Sequence, residues 1–236
     1  TDGARGPAGA MYFLTCGRRI ESDLYRVYYG DNTLKNDPLP PANESNEVIE
    51  ARKIRKQLEA FQEKPDTTAL AIAWPYLKDA DRFIRYAARI AVEHQPVSEW
   101  QSKALAEKDP VALTQAMIAL ARNGNKDVKD GILNALMGIN YDALSESQKV
   151  DLLRAFEVTL YRMGTPNPGQ NKQLISYLEP KYPAAANELN RSLSKILAYI
   201  GDPDIVNKTI ALMAVSKDDT SYQKTATQSS DLILRN

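Results

Sequence analysis

Three arginines, Arg82, Arg85 and Arg89, stand at i, i+3 and i+7 and so share one face of any helix that carries them. Asp79, Asp81 and Glu93 flank them. Two chemistries follow from that arrangement. Three guanidinium groups on one face make a surface for an anion or an acidic partner. With acids so close, the same residues also make a ladder of Arg–Asp pairs that sets the register of neighbouring helix pairs.

Little else in the chain has the types and spacing that catalysis needs. Its 236 residues include one histidine, His94, and one cysteine, Cys16. A Cys/His zinc site needs about four ligands, and no intrachain disulfide can form. A Ser-His-Asp triad would have to use His94. That residue follows an Arg/Glu-rich helix and precedes Gln95-Pro96, so it reads as a helix C-terminal histidine near the negative end of the dipole. Cys16, beside Gly17 in a polar turn, is weak ground for a reactive thiol. The adjacent acids Asp218 and Asp219, like Asp79 and Asp81, stand at helix starts, where Asp caps. No CxxCH, P-loop, GxSxG or GxGxxG after a strand is present. The expectation is no catalytic site, no metal and no cofactor in this chain.

The arginines sit within a helix–turn–helix reading of residues 70–93. Leu70, Ala73, Trp74 and Leu77 form one apolar face, and Phe83, Ile84, Ala87, Ala88 and Ala91 the next, with a turn at 78–81. An apolar helix containing a proline, an Asp in the turn, then an Arg and small residues on the second helix resembles a HEAT repeat. Asp79, Arg85 and Ala88 occupy the positions that carry the resemblance. It implies an α-solenoid whose second helices line a groove, and in the DNA-alkylation subgroup of such proteins that groove holds DNA.

The same theme continues along the chain. A helix over 47–63 carries Ala51, Ile54, Leu58 and Phe61 inward, with Arg52, Lys53, Arg55 and Lys56 on a solvated face. Trp100, Ala104 and Leu105 mark a short helix over 97–107. Asp109-Pro110 is an N-cap followed by proline, opening a helix with Leu113, Ala116, Met117, Leu120 and Ala121 inward and Asn123-Gly124 at its end. Val128, Ile132, Leu136 and Ile139 mark another. Ser145 and Gln148 form a capping-box signature ahead of Leu152, Leu153, Phe156, Leu160 and Met163. Residues 164–169 read as a long loop, the place where a pocket would have to form. Leu189, Leu193, Ile196, Leu197 and Ile200 form the cleanest stripe. Asp202-Pro203 repeats the cap signal ahead of Val206, Ile210 and Met213, and a polar tail covers 218–236. With about ten or eleven helices in units of roughly 25 to 45 residues, the fold expected is mostly α, a HEAT-like α-α superhelix over 47–236 with a short N-terminal β-hairpin.

Residues 1–30 differ from the rest. Residues 10–15 read as one strand, 17–23 as a polar turn and 24–29 as a second strand, with Tyr12, Tyr25, Tyr28 and Tyr29 clustered in the hairpin. Gly6-Pro-Ala-Gly-Ala-Met-Tyr-Phe13, Gly17-Arg18 and Leu24-Tyr-Arg-Val27 resemble the end of a β-propeller of the soluble quinoprotein sugar-dehydrogenase type. The resemblance implies a piece of a larger exported bacterial protein, periplasmic or extracellular, in which a helical repeat region and a c-type cytochrome domain follow the propeller. Residues 31–46, polar and proline-rich, read as the linker. The start at Thr1-Asp-Gly, without methionine, fits a fragment or processed form.

Lys plus Arg and Asp plus Glu both number 30, so the formal net charge is zero. Nucleic-acid and anionic-membrane binders normally carry a basic excess, and no run reaches membrane-spanning length. The first expectation is therefore a scaffold or protein-interaction module whose partner is the rest of its own polypeptide or another subunit. The alternative is a nucleic-acid-binding HEAT protein using the Arg82, Arg85 and Arg89 face. An enzyme with a pocket at the 164–169 loop comes third.

Overall fold

The computed structural model describes residues 2–5, 11–17, 20–27 and 45–215, with backbone alone at 2–5, 16–17 and 20–22. Residues 6–10, Arg18, Tyr28, Tyr29, the linker as far as residue 44 and the tail from residue 216 lie outside the described residues. The described chain is mostly α. It divides into two compact units, Thr1–Lys53 and Ile54–Asn236.

The first unit holds a three-stranded antiparallel sheet in the order β1 (Asp2–Arg5), β2 (Met11–Gly17), β3 (Ile20–Val27). The expected hairpin is present as β2–β3, and the sheet adds to it in two ways. The segment Asp-Gly-Ala-Arg has no alternation of apolar residues to announce it, yet its backbone pairs with Met11–Leu14 of β2. The polar turn is also shorter than its composition implied, because residues 20–23 already pair with β2, with an irregularity between Thr15 and Gly17. Pairing of Met11 with Val27, Phe13 with Tyr25 and Leu14 with Leu24 settles the faces. Phe13 and Tyr25 stack at 5.1 Å on one face. Met11, Tyr25 and Val27 on that face, and Leu14 and Leu24 on the other, are exposed.

Helix α1 (Asn46–Ala60) opens the helical part. Then α2 (Ala69–Ala73) tightens into a 3-10 turn over Trp74–Lys78. Pro75 explains the change, since it lacks the N–H that an α-turn would use. Eight helices follow: α3 (Arg82–Glu93), α4 (Val97–Ala106), α5 (Pro110–Asn123), α6 (Lys129–Met137), α7 (Glu146–Met163), α8 (Pro168–Leu178), α9 (Asn187–Tyr199) and α10 (Ile205–Val215). Helices α3, α5, α7 and α9 pack on one another in that order as one layer. Helices α4, α6 and α8 pack in sequence as a second layer. The caps do the positioning. Asp109 Oδ1 accepts from the N–H groups of Val111 and Ala112. Ser145 and Gln148 satisfy each other's backbone N–H groups in a capping box.

Most of the expected stripes are buried, including all five named residues of α7 and of α9. Three readings need correction. Phe83 is 58% exposed, because the period that buries Ile84 and Ala87 leaves it just outside the contact face. On α10 only Ile205 is buried, while Val206, Ile210 and Met213 are exposed. And α5 has no solvent face over residues 112–121, where a single stripe was expected. Alanine at 112, 116, 119 and 121 lets α3, α4, α6 and α7 all approach it closely. The two polar residues of that stretch have partners: Thr114 Oγ1 donates to Pro110 O at 2.7 Å, and Gln115 Oε1 accepts from Arg89 on α3.

Candidate functional site

The arginine face is built from the turn before α3. Asp79 Oδ1 accepts from the N–H of Asp81, and Asp81 Oδ1 caps the helix through the N–H of Phe83 at 2.7 Å. One turn on, Arg85 Nη1 donates back to the carbonyls of Asp79 (2.7 Å) and Ala80 (3.0 Å). Its other terminal nitrogen lies 3.7 Å from Asp151 on α7. Arg89 lies 3.3 Å from Glu93 and reaches Gln115 on α5, with its guanidinium 5.1 Å from the Tyr86 ring. The second oxygen of Glu93 accepts from Arg122 Nε at 2.8 Å. Arg85 and Arg89 are thus tied into the fold, while Arg82 lies exposed with its guanidinium 4.9 Å from the Phe83 ring.

Burial sets the electrostatics of this cluster. It pushes the Asp151 carboxyl up, against the pull of Arg85, Arg89 and Arg82. It also lowers Arg89, against the pull of Glu93. Arg89 Nε and Glu93 Oε1 are both buried, and neither makes an aligned hydrogen bond despite their proximity. The cluster joins α3 to α5 and α7, with close opposite charges and incomplete hydrogen bonding.

A groove of about 440 Å3 opens farther along the same layer, between α7 and α9 with the end of α5. Leu160 and Ile196 are its buried floor, with Val158 beside them. Its walls carry Arg154, Tyr161 and Arg162 from α7, Lys195 and Tyr199 from α9, and Arg122 from α5. The charges fall into two groups. At one end Glu157 pairs with Arg154 at 2.9 Å and lies 3.7 Å from Lys195. One turn on, along both helices, stand Tyr161, 89% exposed, and Tyr199, half exposed. At the other end Arg162 donates to Arg122 O at 2.9 Å, and Arg122 pairs with Glu93. The lining holds one carboxylate, Glu157, and no histidine or cysteine. Apolar floor, tyrosine walls and a charged rim are the ingredients of a polypeptide-binding surface.

Of this groove the sequence named only the floor, Leu160 and Ile196, as core positions; none of the wall residues was singled out. The signal was there in outline: Arg154, Val158, Tyr161 and Arg162 recur at i, i+4, i+7 and i+8, and all share the groove side of α7. What the sequence lacks is the placement of α9 alongside.

Other expected features are structural in their surroundings. Trp74 and Trp100 are core; their indole N–H groups donate to Glu107 Oε2 (2.8 Å) and Gln95 O (3.1 Å). His94 is the exposed residue that ends α3. Cys16 lies on β2. The loop after α7 is only four residues long, because Asn167 already caps α8. Lys129 Nζ donates to Thr165 O at 2.6 Å and Asn167 donates to Asp130, so this segment is tied to α6; it does not line the groove. Among the described residues no three His, Cys, Asp or Glu side chains are grouped to hold a metal ion, and no helix is long and apolar enough to cross a membrane. No family model, curated protein or solved structure matches this chain.

Proposed function

We propose that the helical unit is a non-catalytic, HEAT-like repeat scaffold that binds a polypeptide along the α7–α9 groove. The observation that carries this reading is the groove itself: exposed Tyr161 and Tyr199 beside an apolar floor, with cations at the rim and no pair of carboxylates. The repeat reading is supported by Arg85, which folds back onto the Asp79 and Ala80 carbonyls and so fixes the angle of its helix pair. On this reading the chain needs no cofactor of its own.

The sheet of the first unit supports membership of a larger protein. A three-stranded sheet with exposed apolar side chains on both faces needs cover on both. That is the situation of a blade in a propeller, and the larger protein is then an exported bacterial one whose redox or sugar chemistry lies outside this chain.

A photocrosslinker tests the binding reading. Tyr161→p-benzoylphenylalanine in the full chain, in the cells that make it, is expected to crosslink to polypeptide. The same group at exposed Ser98, on the other layer, serves as control. Crosslinks to nucleic acid at position 161, or no excess over position 98, would overturn the reading.

A further inference from the structure

We infer that the groove takes a dianionic peptide segment: two acidic residues about four apart in an extended strand, with an apolar or aromatic side chain midway between them. This rests on the interaction reading above and adds the chemistry of the partner.

The inference starts from a charge balance within the lining. At the first end Arg154 and Lys195 face one carboxylate, Glu157, leaving one positive charge uncompensated. At the second end Glu93, outside the lining, is shared by Arg122 and Arg89, and Arg162 donates to the Arg122 carbonyl, so the charge of Arg162 has no carboxylate of the lining beside it. Arg154, Arg162 and Lys195 are all exposed, so both ends are open to a ligand. Between them lie the two tyrosines over the floor of Val158, Leu160 and Ile196. The groove is therefore positive, apolar, positive along its length.

Helix geometry sets the spacing. Arg154 and Arg162 are eight residues apart on one helix, about 12 Å at roughly 1.5 Å per residue. An extended peptide advances about 3.3 Å per residue, so acids at i and i+4 span about 13 Å. The side chain midway between the acids, at i+2, points to the same side as they do and meets the tyrosines and the floor. Tyrosine walls suit such a segment because they bury area at small conformational cost.

A nucleic-acid strand fits less well. Its phosphates repeat along the whole backbone, whereas this groove has positive charge only at its ends and a carboxylate, Glu157, in its lining. Glu157 Oε1 is buried 3.7 Å from Lys195, a fixed negative charge in the lining that a continuous run of phosphates would have to pass.

The test uses the full chain and a fluorescein-labelled heptapeptide, Gly-Glu-Gly-Phe-Gly-Glu-Gly, read by fluorescence anisotropy. Three comparison probes accompany it: a twin with Gln for both Glu, an isomer with the two Glu adjacent, and a twelve-residue oligothymidylate. Each rim contact at such an exposed site is worth roughly two- to fivefold in affinity. The Gln twin should therefore bind about tenfold more weakly, and the adjacent-Glu isomer about threefold more weakly. Arg154→Gln and Arg162→Gln should each weaken the parent peptide about threefold and together about tenfold, while leaving the Gln twin unchanged. Equal binding of parent peptide and Gln twin, or no binding of either, overturns the inference. Tighter, arginine-dependent binding of the oligonucleotide overturns it in favour of a nucleic-acid groove. If position 161 crosslinks to a polypeptide while the parent peptide shows no advantage, the interaction reading stands and the charge pattern alone fails.

Discussion

Glu93 is where the reading of the arginine face as an internal joint is most exposed to refutation. Its side chain is 6% exposed and serves two cations at once, Arg89 at 3.3 Å and Arg122 at 2.8 Å. Glu93→Gln keeps the shape and removes the charge. Arg122 is half exposed and regains water at little cost. Arg89 is only 13% exposed and is left as a buried cation without its nearest acid. Breaking one side of a buried pair costs about 3–5 kcal/mol. Gln115 and the Tyr86 ring still attend Arg89, so the lower end, about 3 kcal/mol, is the working figure. In a unit of this size, 1 kcal/mol moves the melting temperature by about 2–4 °C, giving a fall of about 6–12 °C.

The double variant Arg89→Met, Glu93→Leu removes both charges from the same buried space and should cost less than about 1 kcal/mol relative to wild type. Thermal and urea unfolding followed by far-UV circular dichroism measure wild type, Arg89→Met, Glu93→Leu and the double variant, the four corners of that cycle, alongside Glu93→Gln. A loss below about 1 kcal/mol for Glu93→Gln, or a double variant as costly as the two single changes added, would show that Glu93 and Arg89 are not a mutually dependent pair.

Two other carboxylates carry predictions of opposite sign. Burial raises Glu107, but the N–H of Asp109, the Trp74 indole and the N–H of Lys108 outweigh it and hold the carboxyl below its ordinary range. Its contribution is therefore complete above the unfolded carboxyl value and lost as pH falls through the folded one. Glu107→Gln should cost about 1–2 kcal/mol at pH 7, and urea midpoints should converge with wild type as the pH falls below the folded value; a gap that persists in acid would point to lost packing instead. Asp151 is shifted upward by burial, so its ionised form is the disfavoured one, and wild type loses relative stability as pH rises through the folded value. Asp151→Asn should stay within about 1 kcal/mol of wild type at pH 7, and lowering the pH to 4 should move the balance toward wild type. A loss of several kcal/mol at neutral pH would mean that the Arg85 contact outweighs burial.

What could be read from sequence was whatever a single element decides for itself. The caps at Asp81, Asp109 and Ser145 depend on two or three consecutive residues, and each forms its expected bond. The stripes of α7 and α9 are periodic over three turns or more and are buried as expected. What depends on a second element was not legible. Phe83 shares a period with Ile84, but only the position of the neighbouring helix decides which of them is covered. Val206, Ile210 and Met213 form a helical stripe whose period does not say that α10 buries Ile205 instead. Strand β1 comes from a segment with no β-forming side chains and exists through backbone pairing with β2. The groove is a property of two helices whose facing residues, such as Glu157 and Lys195, are distant in the chain, and neither half of it carries a recognisable motif.

The all-round burial of α5 has a dynamic consequence. A helix enclosed by α3, α4, α6, α7 and the 3-10 turn over Trp74–Lys78 cannot open without disturbing all of them, so its amide hydrogens should exchange only through global unfolding. Helices α9 and α10 have no such enclosure; α10 contacts α9 and keeps an exposed aliphatic side. Local opening should therefore begin at that end and stop at α7. The boundary between the slowly and the rapidly exchanging regions then runs along the floor of the α7–α9 groove. A ligand seated there would slow exchange in α9 and leave α5 unchanged, a footprint larger than its own contacts.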